Sequence, residues 1–270
     1  MELNPTLSSI ESITFYGALF LYLISSALYF AFAGTRKEKM ASAAYMVLVV
    51  ALLVHTVCIA VRGFNAGRLP LTNQYEFATA FAWGIALCFL IFVKKFNFEM
   101  LGVVIAPLVF LVIGYASMQS KDIHALMPAL QSAWLGIHVS MAIIGYGGFG
   151  VAFGVAIMVL LKDRLSKIPD EKTLDLIIYR AVALGMLFLT MCMITGAIWA
   201  KKAWGSYWSW DPKETWSLIT WIIYAIFLHM RTRKGMSGKR LAVFAIVGFL
   251  CVIFTYIGVN TLLGGLHSYA

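Results

Sequence analysis

Six of the eight tryptophans of this chain fall between Trp199 and Trp221, namely Trp199, Trp204, Trp208, Trp210, Trp216 and Trp221. Isolated tryptophans near a membrane boundary need no ligand, because the amphipathic ring prefers headgroup depth, and that explanation suffices for Trp199 and Trp221. The string Trp204-Gly205-Ser206-Tyr207-Trp208-Ser209-Trp210-Asp211 is different: it sets four aromatics within seven residues, more than an anchor requires. A flat apolar platform for a planar ligand fits it better. Next comes Asp211-Pro212-Lys213-Glu214, which reads as a helix start with Asp211 as N-cap, Pro212 in the first helical position and Glu214 completing a capping box. Lys201, Lys202 and Lys213 flank the platform, placed either to pair with ligand carboxylates or to remain solvated. The other residues with chemistry to offer are five histidines, His55, His124, His138, His229 and His267. Cys58, Cys88, Cys192 and Cys251 sit inside apolar runs without a CxxC spacing and are read as small core residues.

The elements that must position these groups follow from composition. Of 270 residues, 61% are apolar or aromatic and 12% are charged, with a mean hydropathy of +0.86. So few polar side chains cannot cover so many apolar ones in water, which excludes a soluble enzyme, a disordered tail and a nucleic-acid binder. The expected fold is all-α, a single polytopic membrane domain over 1–270. Apolar runs long enough to cross a bilayer give about eight transmembrane helices: Ile13 to Ala33, Ala41 to Val61, Phe77 to Val93, Met100 to Ser117, Ala133 to Leu161, Leu176 to Ala200, Trp216 to Met230, and Leu241 to Leu262. The first is read as a retained helix and not as a signal peptide, since no Lys or Arg precedes it. Basic residues orient the spans. Loops after odd-numbered spans hold fourteen Lys and Arg, the opposite loops hold six, and Arg180 lies inside a span. The net charge of +9 therefore reports basic cytoplasmic loops, with both termini extracytoplasmic and the segment 201–216 an extracytoplasmic loop.

That topology sorts the histidines. His138 lies roughly 7 Å inside the outer end of the fifth span, at 1.5 Å per residue, and His267 follows the eighth span on the outer side. Both can approach the outer aromatic loop, giving two imidazoles beside a tryptophan shelf. Neutral imidazole binds iron as readily as zinc, and the shelf suits a porphyrin while serving no purpose for bare zinc. His229 sits near the inner end of the short seventh span, where an intramembrane ionisable residue suggests function, although it is close enough to the rim to snorkel. His55 is roughly 10 Å down from the outer end of the second span and His229 about 20 Å, so one metal between them needs tilt or an offset helix. His124, beside Lys121 and Asp122, reads as solvated.

The run Trp204 to Glu214 resembles the WGxxWxWDxxE signature (WWD motif) of tryptophan-rich haem-handling proteins, and the order His138, aromatic segment, His229, His267 resembles the CcsA branch, also called ResC. The outer-loop string Pro70-Leu71-Thr72-Asn73-Gln74-Tyr75-Glu76 and the ending Gly264-Gly265-Leu266-His267-Ser268 belong to the same resemblance. It implies system II cytochrome c biogenesis: the protein binds haem b, delivers it to the extracytoplasmic face and presents it for covalent attachment to the CxxCH motifs of apocytochrome c. By resemblance His138 and His267 are the axial ligands of an outer haem, and Trp204, Gly205, Trp208, Trp210, Asp211 and Glu214 shape its pocket. His229 is one ligand of a haem held in the membrane, with the fourth ligand from His55 or, favoured by the depth mismatch, from a partner. The resemblance also implies a ResB or Ccs1-type membrane partner subunit with a large extracytoplasmic domain. The protein would be a component of a cytochrome c synthase (haem lyase) complex in the cytoplasmic or thylakoid membrane. Two other readings compete: a bis-histidine membrane cytochrome for electron transfer, disfavoured because the best histidine pair lies at the surface, and a solute transporter without haem.

Overall fold

The computed structural model describes residues 3–164 and 167–267, so Ser268 of the closing string lies outside the described residues. Among the described residues the chain is helical throughout, in eight long helices: α1 Pro5–Thr35, α2 Glu38–Ala66, α3 Gln74–Phe96, α4 Gly102–Ser117, α5 Ala133–Leu160, α6 Glu171–Trp204, α7 Pro212–Lys234 and α8 Lys239–Ile253. Beyond Ile253 the last helix widens into a π-type turn over Phe254–Gly258 and resumes for one turn, Val259–Leu262. The all-α expectation and each of the eight expected spans find their helices. Seven are long and apolar enough to cross a membrane. The exception, α7, has Lys213, Glu214, Arg231 and Arg233 near its ends and Thr215, Ser217 and Thr220 between them. The protein is an integral membrane protein, and a helix is the natural solution in lipid because each backbone N–H and C=O is satisfied within the segment.

Local chemistry sets the helix ends. Asn4, Asn73, Asp170 and Asp211 are N-caps whose side chains accept backbone N–H bonds, and residues with left-handed dihedrals close α1, α2, α3, α6 and α7. Gly205, at φ 81°, ends α6 immediately after Trp204. The segment 201–216 is therefore a loop only over 205–211: Lys201–Trp204 form the last turn of α6, and Pro212–Trp216 open α7.

By its contacts the chain divides into two compact units, Met1–Ala125 and Leu126–Ala270. In the first, α1 packs on α2 and α4, and α3 on α4, around Phe15, Tyr22, Tyr29, Phe81 and Phe89, all buried. A polar node lies at one end of this unit. Arg62 of α2 pairs with Glu11 (3.1 Å) and Glu76 (3.0 Å) and donates to the Lys121 carbonyl (2.8 Å), while Arg68 also pairs with Glu76 (2.9 Å). Glu76 additionally accepts from the backbone N–H and hydroxyl of Thr72. The Pro70–Glu76 string thus closes the loop between α2 and α3 around a buried carboxylate.

In the second unit α5 and α6 approach closely because they present glycines to each other. A Cβ on Gly148 would stand 3.0 Å from the Ala181 carbonyl oxygen and 3.1 Å from the Gly185 nitrogen, and one on Gly145 would stand 3.2 Å from the Gly185 carbonyl oxygen. Small residues at a helix crossing let backbones meet where lipid offers no competing hydrophobic force. Phe149 of α5 stacks on Tyr224 of α7 with centroids 3.8 Å apart, and Gly248 of α8 leaves room for the same tyrosine ring.

Candidate functional site

The second unit brings His138, His267, Trp199 and Trp204 together where α5, α6, the 205–211 loop and the tail after α8 meet. His138 is in the second turn of α5, and Trp199 and Trp204 are in the last two turns of α6. The His138 and Trp199 rings lie nearly parallel, 14° apart in plane with centroids at 6.1 Å. On the same indole sits His267, 5.6 Å away, and its imidazole meets Trp204 edge to face at 4.8 Å. Trp199 and Trp204 pack edge to face at 4.6 Å. Buried Trp199 spends its N–H on the Ala129 carbonyl (2.9 Å), which fixes the plane of the ring that both imidazoles touch. The two histidines separated by 129 positions in the chain thus share one aromatic wall.

Each imidazole is oriented from behind. His138 Nδ1 is 2.8 Å from the Cys192 carbonyl oxygen. A carbonyl only accepts, so Nδ1 carries the proton and Nε2 is the lone-pair nitrogen. Space for the ring is provided by Gly196, one turn along α6: a Cβ there would lie 2.7 Å from His138 Cε1 and Nδ1. His267 Nδ1 is 2.7 Å from Asp211 Oδ2, and a carboxylate likewise only accepts, so Nδ1 carries a proton; in the neutral ring, the form that binds iron, the lone pair is then on Nε2. Backing of this kind is how metal-ligating histidines are held in one tautomer and direction.

Asp211 is also the N-cap of α7, accepting from Lys213 N (3.1 Å), with Glu214 completing the box through a bond from Asp211 N (3.2 Å). The expected helix start is therefore present. Asp211 Oδ1 receives the Leu266 N–H at 2.5 Å, and Gly265 has no Cβ to prevent that approach. Burial alone would raise the Asp211 carboxyl, but the bonds from His267, Leu266 and Lys213 outweigh it and hold the group below the usual carboxylate range. Lys213 Nζ donates to the His267 carbonyl at 3.4 Å; burial pushes this amine down to about 8, against the pull of Asp211.

Beyond this core, Trp208 and Trp210 form an edge-to-face pair at 5.6 Å. Trp210 is 69% exposed and takes a left-handed conformation (φ 58°), and Tyr207 is 60% exposed. The Trp208 N–H is buried without a hydrogen-bond partner among the described residues. Glu214 binds Ser209 N (2.8 Å) and so sets the turn that presents these rings.

The remaining histidines are elsewhere. His229 is exposed on α7, before Arg231, and His124 is exposed as expected. His55 belongs to the first unit, is fully buried, and has Nδ1 3.3 Å from the Tyr22 hydroxyl. Cys58, Cys88 and Cys192 are buried. Sequence reasoning missed the Cys192 carbonyl, Gly196, Gly265 and the bond from His267 to Asp211. Only a lone glycine inside an apolar helix, and a glycine pair before His267, hinted at them.

The profile of the family described as Cytochrome C assembly protein matches residues 71–267, which include every residue of this cluster. The chain belongs to that family. A cytochrome c biogenesis protein CcsA from Chlamydomonas reinhardtii is 41% identical over 222 residues, covering 77% of this chain, which spans 63% of that relative. A CcsA from Prochlorococcus marinus is 32% identical across 97% of this chain and 95% of its own length. Among solved structures, the cytochrome c haem lyase CcmF superposes with a TM-score of 0.76 at 16% identity over 95% of this chain; the chain spans about half, 48%, of that structure, and the likeness shows a shared fold. The role of this protein lies in cytochrome c biogenesis.

Proposed function

We propose that this protein binds haem b, carries it to the extracytoplasmic face of the membrane and presents it there to the CxxCH motif of apocytochrome c. The observation that carries the reading is the pair His138 and His267: two imidazoles on one tryptophan wall, each backed at Nδ1 and each left with its lone pair on Nε2. That donor set fits haem iron and the aromatic surroundings fit a porphyrin. Trp204, Gly205, Trp208, Trp210, Asp211 and Glu214 form the pocket of this WWD segment, with the exposed faces of Trp210 and Tyr207 available to the ligand or its acceptor. The buried Trp208 N–H, without a partner among the described residues, and the Lys201, Lys202 and Lys213 amines are polar groups of this segment that suit the carboxylates of the bound molecule.

Haem supplies the vinyl groups to which the apocytochrome thiols add. The chain's own residues would hold it in one orientation, through His138 and His267, and would exclude water around it, which is the usual share of the protein when a cofactor does the chemistry. The bias of basic residues toward the other loops supports an extracytoplasmic site, both termini included. His229 would hold a haem in transit within the membrane. The exposure of His229, set against the complete burial of His55 beside Tyr22, favours a ResB or Ccs1-type partner subunit as the source of the fourth ligand over His55. Together they would form a cytochrome c synthase (haem lyase) complex.

The test is a pyridine haemochrome assay and absorption spectrum on protein from haem-replete cells, comparing wild type, His138→Gly, His267→Gly and His229→Gly with and without added imidazole. Haem lost at each position and restored by imidazole is the expected outcome. Wild-type protein without haem, purified with its partner, would sink the proposal.

A further inference from the structure

His138 and His267 are held by chemically different groups. The first gives its Nδ1 proton to a neutral main-chain carbonyl, Cys192 O, at 2.8 Å; the second gives it to a carboxylate, Asp211, at 2.7 Å. A hydrogen bond to an anion is shorter and roughly twice as strong as one between neutral groups, and it moves electron density onto the opposite nitrogen of the ring. Asp211 is itself tied by several contacts. Its side chain is 2% exposed, it caps α7, the ring of Pro212 follows it, and Gly265 brings the Leu266 N–H onto its other oxygen at 2.5 Å. His138 has by comparison one main-chain carbonyl, the Cys192 Sγ at 3.4 Å and the notch at Gly196.

We infer that Asp211 is the positioning residue that makes the two axial ligands unequal, His267 being the anchoring, electron-rich ligand and His138 the weaker one that an incoming imidazole displaces. The inference rests on the haem-presentation reading and goes beyond it, because either histidine order would satisfy that reading. Helix capping alone does not account for the arrangement: a cap needs an oxygen facing the first turn of α7, whereas both Asp211 oxygens also reach the tail at Leu266 and His267.

Asp211→Asn removes the charge while its one amide oxygen keeps the place that caps α7 and faces His267 Nδ1; its NH2 then faces the Leu266 N–H, so the variant also gives up that tail contact, and the His267→Gly background below controls for it. In protein with haem b bound, the variant is read per bound haem, so that a lower occupancy does not enter the comparison. At a fixed ambient potential its ferrous-to-ferric ratio should rise about tenfold, equivalent to about 59 mV for one electron, because a poorer donor stabilises ferric iron less. The same substitution in a His267→Gly background with imidazole supplied should produce no such shift. Independently, His138→Gly should retain about tenfold more haem than His267→Gly, within the usual range for loss of metal-site support; this comparison decides the matter even if Asp211→Asn fails to fold. A wild-type potential in Asp211→Asn, a shift that persists without His267, or equal haem loss from the two histidine variants would each overturn the inference while leaving haem binding intact. Absence of haem from the wild type would remove the haem-presentation reading and the inference with it.

Discussion

Gly196→Ala tests whether the position of His138 is set by the α6 backbone. The added Cβ would stand 2.7 Å from His138 Cε1 and Nδ1, where ordinary contact begins at 3.4 Å, so the ring must retreat by about 0.7 Å or rotate. Directed along the N···O line, a retreat of that size takes Nδ1 from 2.8 Å to about 3.5 Å from the Cys192 carbonyl, beyond a useful hydrogen bond. The direct loss is about 1 kcal/mol for the bond. Misdirecting a ligand through its supporting shell costs about 10- to 100-fold in metal affinity, and that is the larger effect. Helix propensity acts the other way, since alanine improves a helix interior by about 1 kcal/mol over glycine. The expected result is therefore a protein that unfolds no earlier than wild type but holds about tenfold less haem by pyridine haemochrome. Gly114→Ala, where a Cβ meets nothing within 4 Å, serves as the control. A Gly196→Ala protein with wild-type haem stoichiometry and an unchanged axial spectrum would refute the placement of His138 as a ligand set by this notch.

Three further outcomes follow from other parts of the structure. Arg62→Ala leaves the Glu11 and Glu76 carboxylates buried without their shared cation, and should lower stability in detergent by about 3–5 kcal/mol; a loss under about 1 kcal/mol in a denaturant titration would contradict the buried node. Gly148→Leu forces a branched side chain against the Ala181 carbonyl and the Gly185 nitrogen, so α5 and α6 must separate; folded yield should collapse, and wild-type yield and unfolding temperature would argue against this crossing. Trp210→Ala removes a ring that is 69% exposed, so the unfolding temperature should stay within a degree or two, about the scatter of surface substitutions, while cytochrome c assembly in cells falls several-fold; unimpaired assembly would exclude the ring from the presenting surface.

Much of this protein is legible in its sequence because the relevant interactions are local. A run of apolar residues long enough to cross a bilayer has no alternative to a helix, since an unpaired backbone in lipid is too costly. The start of α7 could be read from Asp211, Pro212 and Glu214 alone, because a capping box is completed within four residues. The end of α6 was less visible. Apolar content falls after Ala200, yet the helix continues to Trp204 until Gly205 turns left-handed, which puts Trp204 on the last turn of α6 with its ring against Trp199 instead of in the loop. Identity as a haem-handling candidate came from residue types and order, which the string itself displays.

The support of the two imidazoles belongs to the tertiary structure. The carbonyl behind His138 is 54 residues away and the carboxylate behind His267 is 56 residues away. In a soluble protein the apolar stripe of each helix would indicate which face turns inward, but a helix that is apolar around its whole circumference carries no such mark. The rotation and register of α5 on α6 are set by where Gly145, Gly148 and Gly185 allow two backbones to touch, and Gly196 falls opposite His138 only as a result of that crossing. Contacts within a few residues therefore account for the helices, the cap and the candidate ligands, whereas close packing between distant segments selects the oxygen that backs each ligand.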